Sequence, residues 1–174
     1  MKTTGMVRRV DSLGRIVIPK EIRKVLKIKE NEQVEINVSD DSIILNRYSE
    51  LDEYDISLTN LIEVIQEVYN KEILVTNLNS FVLASNEFKD LIGCEISPYL
   101  SNILDNRKEI VENISVNLSL NETIDDVKKS FIIKPIIKNG DTVGLIIMLS
   151  NDDLDDDDKN LVSQVELFLD KYLE

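Results

Sequence analysis

Nine basic side chains fall within the first 29 residues: Lys2, Arg8, Arg9, Arg15, Lys20, Arg23, Lys24, Lys27 and Lys29, against only Asp11 and Glu21. Their shared chemistry is anion binding. A guanidinium is a planar fork that grips a phosphate or a guanine edge with two parallel hydrogen bonds, whereas an ammonium is a less directional point charge. The arginines are therefore expected to orient a polyanion and the lysines to attract it. This segment is positive by seven charges in a chain whose net charge is −13. Residues 1–48 hold ten Lys and Arg against seven Asp and Glu, and the remainder holds ten against twenty-six. Such asymmetry marks a basic binding face on an otherwise acidic protein. Charge alone fits a solvated surface equally well, so the elements that carry it must decide.

Other chemistry is scarce. With no histidine and one cysteine, Cys94, the chain has no disulfide framework, no thiol or imidazole zinc cluster and no Ser-His or Cys-His pair. Catalytic, metal and cofactor sites are all expected to be absent. Cys94 has no histidine or arginine beside it to activate the thiol, and is read as a small buried hydrophobe. The acidic run from Asp152 to Asp158 lacks the mid-loop glycine of a calcium loop and has Lys159 where a ligand should fall. It reads as the cap and dipole partner of the last helix.

The basic residues sit on a recognisable pattern. Gly5 to Asp11 reads as a short strand, Ser12-Leu13-Gly14 as a turn with Gly14 supplying positive φ, and Arg15 to Ile18 as a β-branched run stopped by Pro19. Pro19 then opens a short helix, Lys20 to Leu26, with Ile22, Val25 and Leu26 on one side and Arg23 and Lys24 towards the other. Glu32 to Val38 alternates, Asp40-Asp41 turns, and Ser42 to Tyr48 returns as a second hairpin. Strand, strand, helix, strand, strand in 48 residues is too little to close a core. Without metal or disulfide ligands, a dimer of interleaved hairpins is the expected remedy.

The stretch from Met1 to Leu26, and above all Val10-Asp-Ser-Leu-Gly-Arg-Ile-Val-Ile-Pro19, closely resembles the start of AbrB-like swapped-hairpin transcription regulators. The additional length resembles the sporulation regulators of that family. The resemblance implies a dimeric β-barrel of two intertwined chains that presents basic residues from both copies on one DNA-facing surface. By position it implies DNA contacts from Arg8, Arg15, Arg23 and Lys24, supplemented by Arg9 and Lys2. It also implies control of late sporulation genes in the forespore. With few contacts per chain and no recognition helix, much of the selectivity is expected to come from DNA shape and deformability.

Residues 51–56 are polar and acidic and read as a linker between a DNA-binding domain, 1–50, and a second domain, 57–174. Ser57 to Tyr69 shows an amphipathic helix with Leu58, Leu61, Ile62, Ile65, Val68 and Tyr69 on its apolar face. Strands follow at Glu72 to Thr76 and Phe81 to Ala84, then a mixed helical stretch over roughly Glu87 to Glu112, broken at Ser97-Pro98. Ile114, Val116, Leu118 and Leu120 alternate as a half-buried strand. Phe131 to Ile137 and Val143 to Leu149 form a hairpin around Asn139-Gly140-Asp141. The last helix runs from about Asp156 to Leu173, striped by Leu161, Val162, Val165, Phe168, Leu169 and Tyr172. This order is α+β around a central antiparallel sheet. It resembles a GAF domain, with PAS the nearest competitor. In such domains the first and last helices pack against a partner chain, so a homotetramer is expected; the same stripes would serve equally to cover their own sheet.

The expected partners are double-stranded DNA, further copies of the chain, and an unidentified small-molecule effector in the GAF-like pocket. Neither a signal segment nor the roughly twenty-residue apolar run of a membrane span is present, so a cytoplasmic protein is expected. An antitoxin using the same barrel is the competing reading, and it predicts a disordered tail. An enzyme would have to work with carboxylates alone, and none are paired for that purpose.

Overall fold

The structure, a computed structural model, describes residues 6–26, 28, 34–39, 42–47 and 56–172. The chain divides into two compact units, Met1–Tyr48 and Ser49–Glu174.

In the first unit the turn after Val10 is tightly built. Gly14 N–H donates to Asp11 O at 3.0 Å and Asp11 N–H donates to Arg15 O at 3.0 Å, with Gly14 at φ +76°. That is a three-residue loop whose last member needs the left-handed region, which a glycine enters freely. The two flanking strands expected from Gly5 to Asp11 and Arg15 to Ile18 do not form within one chain: among the described residues 6–18, no ladder extends beyond the Asp11 and Arg15 pair. Among the described residues the apolar side chains Val7, Val10, Ile16 and Val17 of these arms are exposed, and a lone two-stranded ribbon is marginal in water.

Helix α1, Lys20–Val25, starts at the expected residue, with Pro19 as its N-cap rather than in its first turn, and ends one residue earlier than expected, with Leu26 as its C-cap. Strands β1, Val34–Ser39, and β2, Ser42–Arg47, pair antiparallel from Val34 opposite Arg47 to Ser39 opposite Ser42. Residues 40 and 41 of the expected turn lie outside the described residues. Pro19 is the one buried residue among those described in this unit, while Val7, Val17, Ile36, Val38 and Ile43 are exposed.

The second unit opens with α2, Ile56–Tyr69; of the expected linker 51–56, only Ile56 lies within the described residues, and it already belongs to this helix. A five-stranded antiparallel sheet follows, with β3 Glu72–Thr76, β4 Phe81–Ala84, β5 Ile110–Leu118, β6 Val127–Lys138 and β7 Asp141–Ser150 in the order β4-β3-β7-β6-β5. Asn139 and Gly140, both at positive φ, close the β6-β7 hairpin in two residues. Helix α4, Asp156–Tyr172, ends the domain.

Period-two alternation sends the sheet's side chains into two cores. Ile73, Val75, Ile132, Ile146 and Met148 pack with Leu58, Ile62 and Ile65 of α2 and Leu161, Val162, Val165 and Leu169 of α4. Leu74, Phe131, Ile133, Leu145 and Ile147 pack on the other face, under the segment between β4 and β5. That segment is less helical than expected. A 3₁₀ turn, Asn86–Leu91, gives way to a stretch bound to β4, where Phe81 N–H donates to Cys94 O and Gly93 N–H donates to Phe81 O. Only α3, Pro98–Asn106, is α-helical; the Ser97 hydroxyl caps it by accepting from Leu100 N–H at 3.2 Å, and Arg107 in the left-handed region ends it. Strand β5 then begins at Ile110, four residues before the expected alternation, and its bulge between Glu112 and Val116 leaves Val116 exposed.

The acidic run does cap α4. Asp155 N–H donates to Asp158 Oδ2 at 3.1 Å and Asp158 N–H donates to Asp155 Oδ1 at 3.0 Å, a reciprocal box that satisfies orphan donors of the first turn. Lys71 Nζ, at the head of β3, donates to the same Asp158 oxygen at 3.2 Å and to Ser150 Oγ at 2.8 Å, tying helix to sheet.

Candidate nucleic-acid interface

The basic side chains emerge from two local structures. Arg8, Arg9 and Arg15 flank the Asp11 turn, and Arg23 and Lys24 stand in the last turn of α1. Arg8, Arg9, Arg15 and Lys24 are exposed and Arg23 is half-buried; Lys2 lies outside the described residues. Cations in the last turn of a helix also meet the negative end of its dipole, which favours their charge.

Arg8, Arg23 and Arg15 differ in how they are held. Arg8 Nη1 donates to the carbonyl of its neighbour Val7 at 3.2 Å. Arg23 has its Nε sealed from solvent without a hydrogen-bond partner among the described residues, so the stem lies against protein. Arg15 is bound to Asp11: its main-chain N–H donates to Asp11 Oδ1 at 2.9 Å and its Nε donates to Asp11 Oδ2 at 2.8 Å. Leu13 N–H also donates to Asp11 Oδ1. These bonds hold the Asp11 carboxyl below the ordinary carboxylate range, first through the Arg15 main-chain N–H, then through its guanidinium. Asp11 is thus bound to a candidate contact residue, and reading for basic charge passes over it. The signal for it was present as an acid four residues before an arginine with a turn glycine between them.

In the second unit, the space between the sheet and α3 is filled by Leu100, Ile103, Leu104, Phe131 and Ile133. A cavity of about 260 Å³ lies beside it, lined by Cys94, Glu95, Ile96, Asn121, Glu122 and Thr123. Cys94 is half-buried rather than buried, and its thiol donates to Asp90 O at 3.5 Å. Asn121 is occupied within the chain, donating to Glu95 O and accepting from Thr123. Of the two helical stripes, Leu58, Ile62, Ile65, Leu161, Val162, Val165 and Leu169 cover their own sheet. Val64, Val68 and Tyr69 of α2 and Leu167 and Phe168 of α4 are left exposed. Among the described residues no helix is long and apolar enough to cross a membrane.

Comparison with known proteins separates along the same division. The family model described as stage V sporulation protein T C-terminal, transcription factor, matches residues 50–174, and that described as antidote-toxin recognition MazE, bacterial antitoxin, matches residues 7–50. Stage V sporulation protein T of Bacillus subtilis (strain 168) is 34% identical over 154 residues, covering 87% of this chain and 86% of that protein. The transition state regulatory protein AbrB of the same organism is 56% identical over 48 residues, 28% of this chain and 50% of that one. Two solved structures share the fold of the larger unit. One is the type II free methionine-R-sulfoxide reductase of Thermoplasma acidophilum (15% identity, 67% of this chain and 89% of that one, TM-score 0.52). The other is the GAF domain of an Acinetobacter phosphoenolpyruvate-protein phosphotransferase (10% identity, 72% and 82%, TM-score 0.52). The architecture is therefore an AbrB-like N-terminal module followed by a GAF-like α+β domain.

Proposed function

Because the chain belongs to the stage V sporulation protein T family of transcription factors, it is a sporulation transcription regulator, and we propose that it acts by binding double-stranded DNA through a basic face shared by two copies of residues 1–50. Arg8, Arg15, Arg23 and Lys24 of both copies make the contacts, Arg9 and Lys2 supplement them, and the controlled genes are the late ones of the forespore. The observation that carries this reading is one small unit combining surplus positive charge with apolar strands open to solvent. A second copy covers the apolar strands and doubles the cationic groups, which is what a dimeric duplex reader requires.

Two such dimers join into a homotetramer through the outer faces of α2 and α4. The exposed Val64, Val68, Leu167 and Phe168 support that assignment, since they are the apolar side chains of those helices that their own sheet does not use. A small-molecule effector of the GAF-like domain binds at the cavity beside Cys94 or displaces side chains under α3, because α3 and the sheet are in direct contact. The protein acts in the cytoplasm and carries out no catalysis.

The antitoxin reading is not favoured. It requires a tail that orders only on a toxin, whereas residues 56–172 fold on a five-stranded sheet with two cores of their own.

The test is fluorescence-anisotropy binding of wild type and Arg15→Ala to a labelled AT-rich duplex at several salt concentrations. Wild-type affinity is expected to fall with a log-log slope of about −0.9 for each phosphate neutralised. Arg15→Ala is expected to bind at least about tenfold more weakly, as loss of a direct contact does. Equal binding by both proteins, or none by either, overturns the proposal and moves the N-terminal unit to a protein-partner role.

A further inference from the structure

Asp11 grips Arg15 at three points. Its Oδ1 accepts from the Arg15 main-chain N–H at 2.9 Å, its Oδ2 accepts from Arg15 Nε at 2.8 Å, and its own N–H donates to Arg15 O at 3.0 Å. Backbone and guanidinium of the arginine are thus fixed to one residue, while the side chain remains 71% exposed. We infer that Asp11 is a positioning residue that aims the Arg15 guanidinium at the duplex, so that it governs discrimination between DNA sequences rather than attraction to DNA. This rests on the reading that Arg15 touches DNA.

The division of labour within the carboxylate carries the argument. One neutral acceptor is enough to make the turn, because Oδ1 alone receives both Leu13 N–H and Arg15 N–H. Asparagine or serine supplies such an acceptor in turns of this type. The second oxygen distinguishes aspartate from those residues, and here it is spent on Nε of the arginine. A negative charge on a DNA-facing surface works against phosphate binding, so its presence is not explained by affinity. It is explained by direction. An arginine loses much rotamer freedom when it binds, and one already held at Nε has less to lose. Engaging Nε leaves the two Nη groups as the fork that meets a guanine edge or a phosphate. Arg8 provides the contrast: its Nη1 is turned back onto the Val7 carbonyl, so the fork itself is partly used within the chain.

The experiment is a double-mutant cycle on the full chain, read as the ratio of affinities for two duplexes. One duplex is selected from a random-sequence pool by the wild-type protein, and the other is its scrambled version. Both are measured by anisotropy at low salt, where non-specific binding is strong. Asp11→Asn keeps the turn acceptor and removes the charge, and Asp11→Ser does the same with a different side chain, so a folding failure of one leaves the other; far-ultraviolet circular dichroism checks both. In the wild-type background each is expected to lower the ratio about tenfold, within the range of one oriented base contact, while scrambled-duplex affinity holds or rises. In the Arg15→Ala background the same substitutions are expected to leave the ratio unchanged. An equal drop in both backgrounds makes Asp11 a turn residue only and overturns the inference, as does no drop in either. If Arg15→Ala itself leaves both affinities at the wild-type level, the DNA-contact reading fails first and takes this inference with it.

Discussion

Val7, Val17 and Val25 of the N-terminal unit are 86%, 76% and 82% exposed, whereas Ile73, Leu145 and Ile147 of the C-terminal unit are fully withdrawn from solvent. The side chains are of one chemical kind, so hydropathy alone does not tell these two environments apart. What differs is the number of strands and layers available in one chain. A five-stranded sheet with helices on both faces offers each apolar side chain a neighbour, while among the described residues of the N-terminal unit one two-stranded hairpin and a six-residue helix offer far fewer. Charge divides the same way, with positive surplus on the unit that leaves its apolar groups open and negative surplus on the one that closes them. On the proposed reading, the N-terminal unit is finished by a second copy, and the comparison becomes testable by substitution in each unit.

The largest effect is expected in the closed unit. Phe131 is fully buried against Ile133, Leu145 and Ile147, so Phe131→Ala is expected to destabilise the C-terminal unit by about 3–5 kcal/mol. Urea denaturation followed by circular dichroism measures it. In the open unit, Ile16→Asp and Val17→Asp would each cost less than about 0.5 kcal/mol if these residues stayed at the surface. If a second copy buries one face of this strand, one of the two neighbours points inward and its replacement costs about 3 kcal/mol, with loss of the dimer. Sedimentation at micromolar concentration separates the outcomes, and no change from either substitution breaks the comparison.

A middle-sized effect is expected at Asp158. Its side chain is nearly buried, caps α4 and pairs with Lys71 across the sheet. Asp158→Ala is expected to cost about 2 kcal/mol, through loss of the cap and a stranded lysine. Asp158→Asn, which keeps an acceptor for Asp155 N–H, is expected to cost less. Equal losses would mean that the charge, not the cap, holds α4.

These elements differ in how far the chain announces them. Strands β3 and β4 stand at the expected residues, because turn-forming Asn77 to Ser80 bounds them locally; β6 and β7 are announced by Asn139-Gly140. The cap on α4 was equally local. The strands expected about the Asp11 turn from their apolar, β-branched pattern do not form among the described residues, where the pairing stops at Asp11 and Arg15. The 3₁₀ turn and the stretch after it escaped because Phe81, Gly93 and Cys94 fix them by backbone bonds that no periodicity records. Lys71 and Asp158 lie 87 positions apart and nothing near either residue marks the other. At the candidate interface the arginines were legible from charge and motif, whereas Asp11 enters a charge count only as a subtraction.

The smallest expected effect contrasts two exposed aspartates, one in each unit. Asp11 and Asp156 both titrate below the ordinary 3.8, but for different reasons. For Asp156 the cause is the Lys159 side chain, first by hydrogen bond and then by charge, whereas for Asp11 the first cause is the Arg15 main-chain N–H and the guanidinium comes second. A carboxyl whose folded value is depressed adds stability above its unfolded value, and that contribution is lost as pH falls through the folded value. Both contributions therefore decline as pH falls below about 3.8, and with both groups exposed the loss is small. Side-chain carboxyl titration by carbon-detected NMR distinguishes the two sources. Lys159→Ala is expected to return Asp156 to the ordinary value, while Arg15→Ala is expected to raise Asp11 only part of the way, because alanine still presents the main-chain N–H. Full return of Asp11 in Arg15→Ala would show that the guanidinium alone holds the carboxylate, and that the turn does not survive without it.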